Sequence, residues 1–405
     1  MGVVVTGYGA VTPLGADVDE FWEGLVTGRS GVEELRLDPE LFEQPRQAVG
    51  RVNVDFGEVM GKAAAKRLDR QQQLALVAAR EAWKDAGEPE VEPDLLATSI
   101  GTGIGGLRTL LDEEAKLHAK GARRVSPRTV PQLMANAASA QVSIEFGARA
   151  GVYTPVSACA AGAEGLAMGA RLIESGEADV VIAGGVEAAI AQLTVAGFSQ
   201  TQALATPGAD EDLTLLSSPF AADRKGFVLG EGAGVLILES EEHAASRGAR
   251  VHARLAGWGV TSDAHHITAS DPEAGGQSRA IERALRKAGL TAADITQVNA
   301  HATGTSVGDD SEALALTRTG LADHVAVTAV KGATGHLVGA AGAVEAIASV
   351  KQVETGLVPP THHLVADDPA CGLDVVRGAA RKVGGPVLSN SFGFGGQNVS
   401  LIFTA

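Results

Sequence analysis

Apolar residues occur along this chain in short unbroken runs rather than in strict alternation with polar residues. A strand with one solvent-exposed face alternates apolar and polar residues, whereas a strand covered on both faces is a continuous run of apolar residues. The pattern therefore predicts covered strands at Val3 to Thr6, Thr98 to Gly101, Val180 to Gly184, Val235 to Leu238, Val325 to Val330, Val387 to Ser391 and Val399 to Phe403. Helical stretches separate them, at Arg70 to Ala86, Leu166 to Ser175, Ser278 to Ala288 and Ala340 to Val353. This alternation indicates an α/β protein.

Length and charge narrow the class of protein. The 405 residues are 45% hydrophobic, enough for one large core or two fused ones. A net charge of −16 argues against bulk binding of nucleic acid or of an anionic membrane. No apolar run approaches the roughly 18 residues of a transmembrane helix. The two cysteines, Cys159 and Cys371, cannot form a disulfide framework, so a reducing, cytoplasmic compartment is expected.

Cys159 stands between a strand-like run, Gly151 to Ser157, and a small-residue, helix-like run, Ala160 to Leu166. A thiol at a helix N-terminus feels the positive end of the helix dipole, which favours the thiolate, and unpaired N–H groups there can hold an oxyanion. This placement is typical of a nucleophile. The alternative is that Cys159 is a small buried hydrophobic residue, which is the usual fate of a lone cysteine.

Three later segments place polar or loop-forming residues directly after an apolar strand. The first ends in His301 and a Gly/Thr loop, the second continues into Lys331 and His336, and the third breaks into the glycine-rich loop Gly393 to Gly396. Sites of α/β proteins assemble at such strand ends. Each segment alone is a weak signal, because a histidine at a strand end is more often structural than catalytic.

Taken in this order and at these separations, Cys159, His301, Lys331, His336 and the Gly393 to Gly396 loop resemble the β-ketoacyl-acyl carrier protein synthases of the thiolase-like superfamily. The resemblance covers essentially the whole chain. It implies two fused α/β halves in a layered αβαβα core, with residues 1–245 carrying the cysteine and residues 246–405 carrying the two histidines and the lysine. A loose repeat, Thr6 to Val11 and Ala256 to Val260, agrees with such a duplication.

The resemblance also implies the reaction and the role of each catalytic residue. Cys159 would take an acyl group from an acyl carrier protein and store it as a thioester. His301 and His336 would bind the carbonyl of the incoming malonyl thioester and stabilise the enolate formed as CO2 leaves, acting best when protonated or held in one tautomer. Lys331 and Glu345 would set histidine orientation and site charge. Without the resemblance, both would read as solvated helix residues.

Further residues take roles from the same resemblance. Phe394 would complete the oxyanion hole with Cys159 and would gate the acyl pocket together with Phe392. Thr303 and Thr305 would hold the phosphopantetheine arm, and His266 would line the pocket. No metal is expected, because the pair His265 and His266 has no third ligand at zinc-like spacing nearby, and no redox cofactor is expected either.

The partner implied is an acyl carrier protein, which is acidic, so its docking patch on this acidic chain must be local. Two basic clusters qualify, and a solvated face is the ordinary reading of each: Lys62, Lys66, Arg67 and Arg70, predicted at helical spacing, and Arg123 with Arg124. A dimer is expected, with a second copy or with a chain-length factor.

Three departures from the commonest family pattern bear on the pathway. Ala302 stands where glycine is usual, Ala160 and Ala161 replace more polar residues beside the nucleophile, and Gly308 to Asp310 replaces a frequent Asn-Asp. None removes a catalytic group. Together they favour type II polyketide or other secondary metabolism over housekeeping fatty-acid synthesis.

Two alternatives remain open. A chain-length-factor-like partner subunit would resemble a ketosynthase along its length but would lack the nucleophilic cysteine, which this chain retains. A dinucleotide-binding oxidoreductase is suggested by the GxGxxG spacing of Gly101 to Gly106 after a strand. The second strand ending in an acid, which that motif requires, is replaced by a proline-punctuated loop at Arg123 to Pro127.

Overall fold

The computed structural model describes residues 2–364 and 368–405. Its strands are β1 (Val3–Val11), β2 (Val32–Arg36), β3 (Arg46–Gly50), β4 (Leu96–Gly101), β5 (Gly151–Tyr153), β6 (Val180–Glu187), β7 (Leu229–Gly230), β8 (Gly232–Ser240), β9 (Ala253–Ser262), β10 (Gln297–Asn299), β11 (Ala326–Thr328), β12 (Leu357–Val358), β13 (Asp374–Val375), β14 (Arg381–Lys382), β15 (Val387–Gly393) and β16 (Gln397–Thr404). All seven apolar runs lie in or over these strands.

The helices are α1 (Val18–Thr27), α2 (Phe56–Met60), α3 (Lys62–Ala65), α4 (Arg70–Asp85), α5 (Leu107–Lys120), α6 (Thr129–Leu133), α7 (Ala137–Phe146), α8 (Ala161–Glu174), α9 (Gln192–Gln200), α10 (Glu241–Ser246), α11 (Gly275–Ala288), α12 (Ser306–Arg318), α13 (Lys331–Thr334) and α14 (Ala341–Thr355). The described chain contains no helix that combines the length and the apolar character needed to span a bilayer.

Eleven of the described strands form one mixed sheet in the order β13-β11-β10-β15-β16-β9-β1-β8-β6-β4-β5. The two halves of this sheet meet at β1 and β9, where the register joins only Val4 to Arg254 and Val5 to Ala253. The neighbouring pairs on either side of this junction are much longer, β1 with β8 and β9 with β16. The sheet therefore consists of two half-sheets joined by a short antiparallel seam.

Helices complete five layers around the half-sheets. α4 packs on β1 and β8, with α7 beside it, and α11 packs on β9 and β16 on the opposite outer face. α8 and α14 contact each other between the half-sheets, α8 against β4 and β6 and α14 against β8 and β15. This is the αβαβα arrangement expected from the sequence.

Local sequence explains why α4 begins where it does. The Asp69 carboxylate accepts the N–H of Gln71 at 2.9 Å, and the Gln72 side chain accepts the N–H of Asp69 at 2.9 Å, which forms a capping box. The inner face of the helix then buries alanine and leucine residues such as Leu74 and Leu76. Cap and apolar face together fix the helix against the sheet.

Candidate active site

Cys159 lies in a 3₁₀ turn, Ala158–Ala160, that connects the segment after β5 to α8. Ala158 has φ +51°, in the left-handed region that residues with a Cβ rarely adopt, so the turn is strained. The turn places the thiol on the wall of a cavity of about 490 Å3, which His301, His336, Thr303 and Phe394 also line. A thiol and two imidazoles therefore face a common space.

The glycine-rich loop approaches the cysteine closely. A Cβ on Gly393 would lie 2.8 Å from the Ser157 oxygen and 3.1 Å from the Cys159 nitrogen, so only glycine fits there. The approach directs the backbone N–H of Phe394 to the Cys159 sulfur, and the N–H of Cys159 itself also stabilises the thiolate. These two N–H groups form the arrangement an oxyanion hole requires.

The protonation state of Cys159 differs from the sequence expectation. Burial raises the pKa of the thiol to about 11, against the lowering effects of the Lys331 charge and of the Phe394 N–H. The expected thiolate, favoured by the helix dipole, is thus opposed by loss of solvation. Burial therefore favours the thiol over the thiolate at neutral pH.

His301 and His336 form an edge-to-face pair, with ring centroids 5.5 Å apart and planes at 88°. The backbone fixes both. His301 N–H donates to Glu312 at 3.0 Å, and His336 N–H donates to the Val228 oxygen at 2.7 Å. The ring of His336 is buried, and neither of its nitrogens has a hydrogen-bond partner among the described residues. Such a ring is ready to bind a ligand.

Both imidazoles are neutral. Burial lowers the pKa of His301 and of His336 well below the ordinary value, and the Lys331 charge lowers each further. Of the two states the sequence allowed, a protonated donor and a fixed tautomer, the contacts of His301 support the second. Lys331 Nζ lies 3.3 Å from His301 Nδ1. Because Lys331 carries only donors, Nδ1 must accept, and the ring proton of His301 lies on Nε2.

Lys331 and Glu345 form a buried ion pair behind the histidines. Burial raises the pKa of Glu345 to about 7, although the lysine opposes that rise. The backbone oxygen of Glu345 also accepts the Asn299 side chain at 3.1 Å, which ties α14 to the end of β10. The two residues are therefore interior and paired, and not solvated helix residues.

Sequence reasoning missed Glu312, which organises the His301 loop from α12. Its buried carboxylate accepts the N–H of His301 at 3.0 Å, the N–H of Ala302 at 2.8 Å and the side chain of Asn390 at 3.0 Å. Nothing in the local pattern distinguishes Glu312 from a surface acid on a helix. Only the fold shows that it faces inward.

Glu187 was also missed, and it explains the GxGxxG spacing. Its buried carboxylate accepts the N–H of Gly103 at 2.8 Å and that of Gly339 at 3.2 Å. A Cβ on Gly101 would lie 2.1 Å from the Ala161 oxygen. The missing side chains of these glycines thus leave room for the Glu187 carboxylate and for the start of α8. In a dinucleotide-binding loop the same spacing leaves room for a pyrophosphate. A sequence signal existed, since Glu187 ends an apolar strand.

The pocket wall toward solvent contains Thr303 and Thr305, whose hydroxyl oxygens are 3.0 Å apart. Asp309 holds their loop, because its carboxylate accepts the N–H of Thr303 at 3.0 Å and that of Gly304 at 3.1 Å. Burial raises the pKa of Asp309 to about 7. Two hydroxyl groups are therefore presented along the entrance.

Phe392 and Phe394 both line the cavity. The Phe392 ring lies 6.0 Å from that of His301. The loop after them turns at Gly395 and Gly396, with φ values of +82° and +71°. Gly395 N–H donates to the Ile267 oxygen at 2.8 Å. The loop that follows Phe394 is thus hydrogen-bonded to the loop after β9.

His266 does not line the cavity as expected. It lies on the exposed loop after β9, where its Nδ1 accepts the N–H of Thr268 at 3.2 Å and that of Ala269 at 3.1 Å. The ring caps its own turn, while Thr268, Ala269 and Ser270 reach the pocket instead. The prediction for His266 is therefore wrong, and the residues that line the pocket follow it on the same loop.

The predicted docking residues Lys62, Lys66, Arg67, Arg123 and Arg124 are all exposed. They do not share one helix, because α3 ends at Ala65 and α4 begins only at Arg70. Arg70 itself is mostly buried and pairs with Glu231 at 2.6 Å. Arg70 therefore stabilises the fold through this ion pair and is not available to bind a carrier protein.

Cys371 is buried beside Asp310 and Asp368, the group among the described residues whose ligand atoms could hold a metal ion. The guanidinium of Arg224 already neutralises these acids, at 2.6 Å from Asp310 and 2.9 Å from Asp368. An arginine in this position disfavours a cation.

A cysteine thiol, two backbone N–H groups and two imidazoles that face one cavity in an α/β fold are the groups that a thiolase-like acyl-transfer enzyme requires. Family models agree: residues 1–244 match the N-terminal domain of β-ketoacyl synthases, and residues 252–365 match the C-terminal domain. The chain belongs to the β-ketoacyl synthase family. It is an acyl-condensing enzyme of this kind.

Relatives are similar over their whole length. The 3-oxoacyl-[acyl-carrier-protein] synthase 2 of Staphylococcus aureus (strain COL) is 42% identical over 99% of this chain and 97% of its own. The protein of the same name from Mycobacterium bovis is 43% identical over 99% and 96%. The family identification from the sequence is thereby confirmed.

Solved structures are similar as well. A ketosynthase complex with its acyl carrier protein from a type II polyketide synthase has TM-score 0.92 and 29% identity, covering 100% of this chain and 99% of the other. The ishigamide ketosynthase/chain length factor has TM-score 0.90 and 34% identity over 100% and 99%. The expected fold class is confirmed.

Proposed function

We propose that Cys159 carries the acyl group between two half-reactions. In the first, the sulfur attacks the thioester carbonyl of a carrier-bound acyl group, and the N–H groups of Cys159 and Phe394 stabilise the oxyanion. The carrier thiol leaves with the proton lost by Cys159. The product is an acyl-enzyme with the acyl chain in the cavity.

In the second half-reaction the carrier brings a malonyl thioester. His301 and His336 donate Nε2–H bonds to its carbonyl oxygen, which stabilises the enolate formed when the carbon–carboxylate bond breaks and CO2 leaves. The enolate carbon attacks the acyl carbonyl, a carbon–carbon bond forms, and the bond to the Cys159 sulfur breaks. The thiolate then regains a proton. Lys331 and Glu345 position His301 and touch neither substrate.

A single observation carries this proposal: Cys159, His301 and His336 line one cavity of about 490 Å3. Neutral imidazoles suit the task, because they donate to a developing enolate without trapping its charge as an ion pair. The step needs no metal and no redox cofactor in our proposal, since the substrates arrive on phosphopantetheine. Thr303 and Thr305 lie where hydroxyl groups would bind the amides of that arm.

Mass spectrometry of the intact protein tests the assignment. After incubation with acyl-carrier thioesters, the wild type should gain the mass of one acyl group, and Cys159→Ala should gain none. Cys371→Ala is the matched control and should load normally. His301→Ala should load but should form no β-ketoacyl product from malonyl carrier. Product formation by Cys159→Ala or His301→Ala would contradict the proposal.

The exposed basic residues Lys62, Lys66, Arg67, Arg123 and Arg124 are proposed to receive the acyl carrier protein. Their charge is local on a chain of net charge −16, so added salt should weaken docking. A solved ketosynthase of similar fold is bound to its carrier protein, which supports such a partner.

The pathway and the second subunit are narrower proposals. Ala160 and Ala161 are buried beside the nucleophile, where more polar residues are commoner in the family. This departure favours polyketide or other secondary metabolism. A related ketosynthase is solved with a chain length factor, so a heterodimer is proposed beside a homodimer. A role as the chain-length factor itself is disfavoured because Cys159 faces the cavity. The division at residues 245 and 246 and the cytoplasmic location remain predictions from sequence.

A further inference from the structure

The exposure of the pocket wall rises steadily from the catalytic end to solvent. His336 and Thr303 are buried, Thr305 is partly exposed, and Val307 is 60% exposed at the rim. A carrier arm that reaches Cys159 must pass these residues in reverse order. The group that joins the arm to its carrier protein then lies at the rim.

Lys225 stands at this rim. It lines the pocket, and the N–H of the next residue, Gly226, donates to the Gly304 oxygen at 2.9 Å, between the two threonines. Among the described residues that line the pocket, Lys225 and Arg224 are its lysine and arginine residues. Arg224 is buried and held by Asp310 and Asp368, so it is not available to a ligand.

The proposed function requires an anion at this point, because phosphopantetheine is joined to its carrier through a phosphodiester. We propose that Lys225 binds this phosphodiester as the arm enters past Thr303 and Thr305. The inference rests on the proposed function and adds a recognition residue to it. An ammonium on a flexible stem binds phosphate as a point charge without a fixed geometry.

Glu211 supplies the counter-charge in the absence of the arm. Its carboxylate lies 2.5 Å from Lys225 Nζ and also accepts the N–H of Gly208 at 2.8 Å. Both side chains are partly exposed, so the ion pair is weak and exchangeable. Glu211 therefore competes with the phosphodiester for Lys225, and arm binding exchanges one anion for the other.

Two small thioesters distinguish the contact of Lys225 with the phosphate from any effect on docking of the carrier protein. Malonyl-phosphopantetheine and malonyl-pantetheine differ only in the phosphate, and neither bears a carrier protein. With wild-type acyl-enzyme, kcat/KM should be higher for the phosphorylated thioester. Lys225→Met should lower kcat/KM about threefold to tenfold for the phosphorylated thioester, mainly through KM, and should leave the dephosphorylated one unchanged. Lys225→Arg, which keeps the charge, should restore most of the preference.

Glu211→Gln keeps an acceptor for Gly208 but frees Lys225, so it should lower KM for the phosphorylated thioester about twofold. Arg254→Met is the matched control, because Arg254 forms a similarly exposed pair with Glu241 at the far end of β9. An equal loss with both thioesters in Lys225→Met, or no loss with either, would overturn the proposal. Absence of condensation by the wild type would instead contradict the proposed function.

Discussion

At the scale of single residues, the site depends on one buried positive charge. Lys331 donates toward His301 Nδ1 and pairs with Glu345, so it fixes the tautomer of one ring while lowering the pKa of both. Without Glu345 the ammonium would be buried and unpaired, at a cost of several kcal/mol. In the proposed reaction the pair acts through the histidines, and each member of the pair stabilises the buried charge of the other.

The Cys159 thiol gives a pH-dependent prediction. With its pKa raised to about 11, the reactive thiolate is a small fraction at neutral pH and grows about tenfold per pH unit below the pKa. In a Cys371→Ala background, the rate of alkylation by iodoacetamide, followed by mass spectrometry, should therefore rise about tenfold per unit from pH 7 to pH 9. A plateau below pH 8 would show that the helix dipole outweighs burial.

At the scale of elements, two glycine-bearing strands set the distance to the outer helices. A Cβ on Gly9 of β1 would lie 2.1 Å from the Ala78 oxygen of α4, and one on Gly259 of β9 would lie 2.0 Å from the Ala280 oxygen of α11. The weak repeat in the sequence therefore reflects the same contact in each half. Each glycine lets a helix backbone rest directly on its strand.

This contact predicts stability changes. Gly9→Ala and Gly259→Ala should each lower the free energy of unfolding by about 1–3 kcal/mol, because the helix must move away from the strand. Gly197→Ala is the control: Gly197 is an exposed residue of α9 with nothing within 4 Å of its added Cβ, and alanine there should be neutral or stabilising. Chemical denaturation measures all three. Equal stability of wild type and Gly259→Ala would refute the close approach.

The sequence predicted the secondary-structure elements better than it predicted the contacts between them. Continuous apolar runs located the strands, and the helix-like run of small residues from Ala160 to Leu166 is the start of α8, Ala161–Glu174. In the fold their small size serves packing: a Cβ on Gly162 would lie 2.8 Å from the Gly339 oxygen. Glu312 could not be recognised, since nothing in the local pattern shows that its carboxylate turns inward to the N–H groups of His301 and Ala302 and to the Asn390 side chain.

At the scale of the whole molecule, the seam between the half-sheets explains the convergence of the site. The N-terminal half supplies Cys159 at the start of α8, and the C-terminal half supplies His301 and His336 beside α14. Because α8 and α14 pack together between the half-sheets, the ends of both meet at one cavity. Neither half alone contains the cysteine together with the two histidines that the proposed reaction requires.

The outermost strand of the N-terminal half-sheet predicts how the molecule assembles. β5 pairs with β4 on one side, and among the described residues no strand covers its other edge. Exposed apolar residues surround that edge, with Val152 at 44%, Val156 at 57% and Ile144 at 74%. An uncovered strand edge bordered by apolar surface favours pairing with a strand of another chain. We expect two subunits to join β5 to β5 and continue the sheet across the interface.

Sedimentation velocity tests this arrangement. The wild type should sediment as a species of twice the 41.2 kDa chain mass. The double variant Val152→Glu, Val156→Glu should sediment as a monomer, because like charges then meet across the two-fold axis. Val251→Glu is the control, since Val251 is 45% exposed but lies before β9, away from this edge. A double variant that stays dimeric would place the interface elsewhere. If the second subunit is a chain-length factor, it should bind at the same edge of β5, and the double variant should fail to form that heterodimer too.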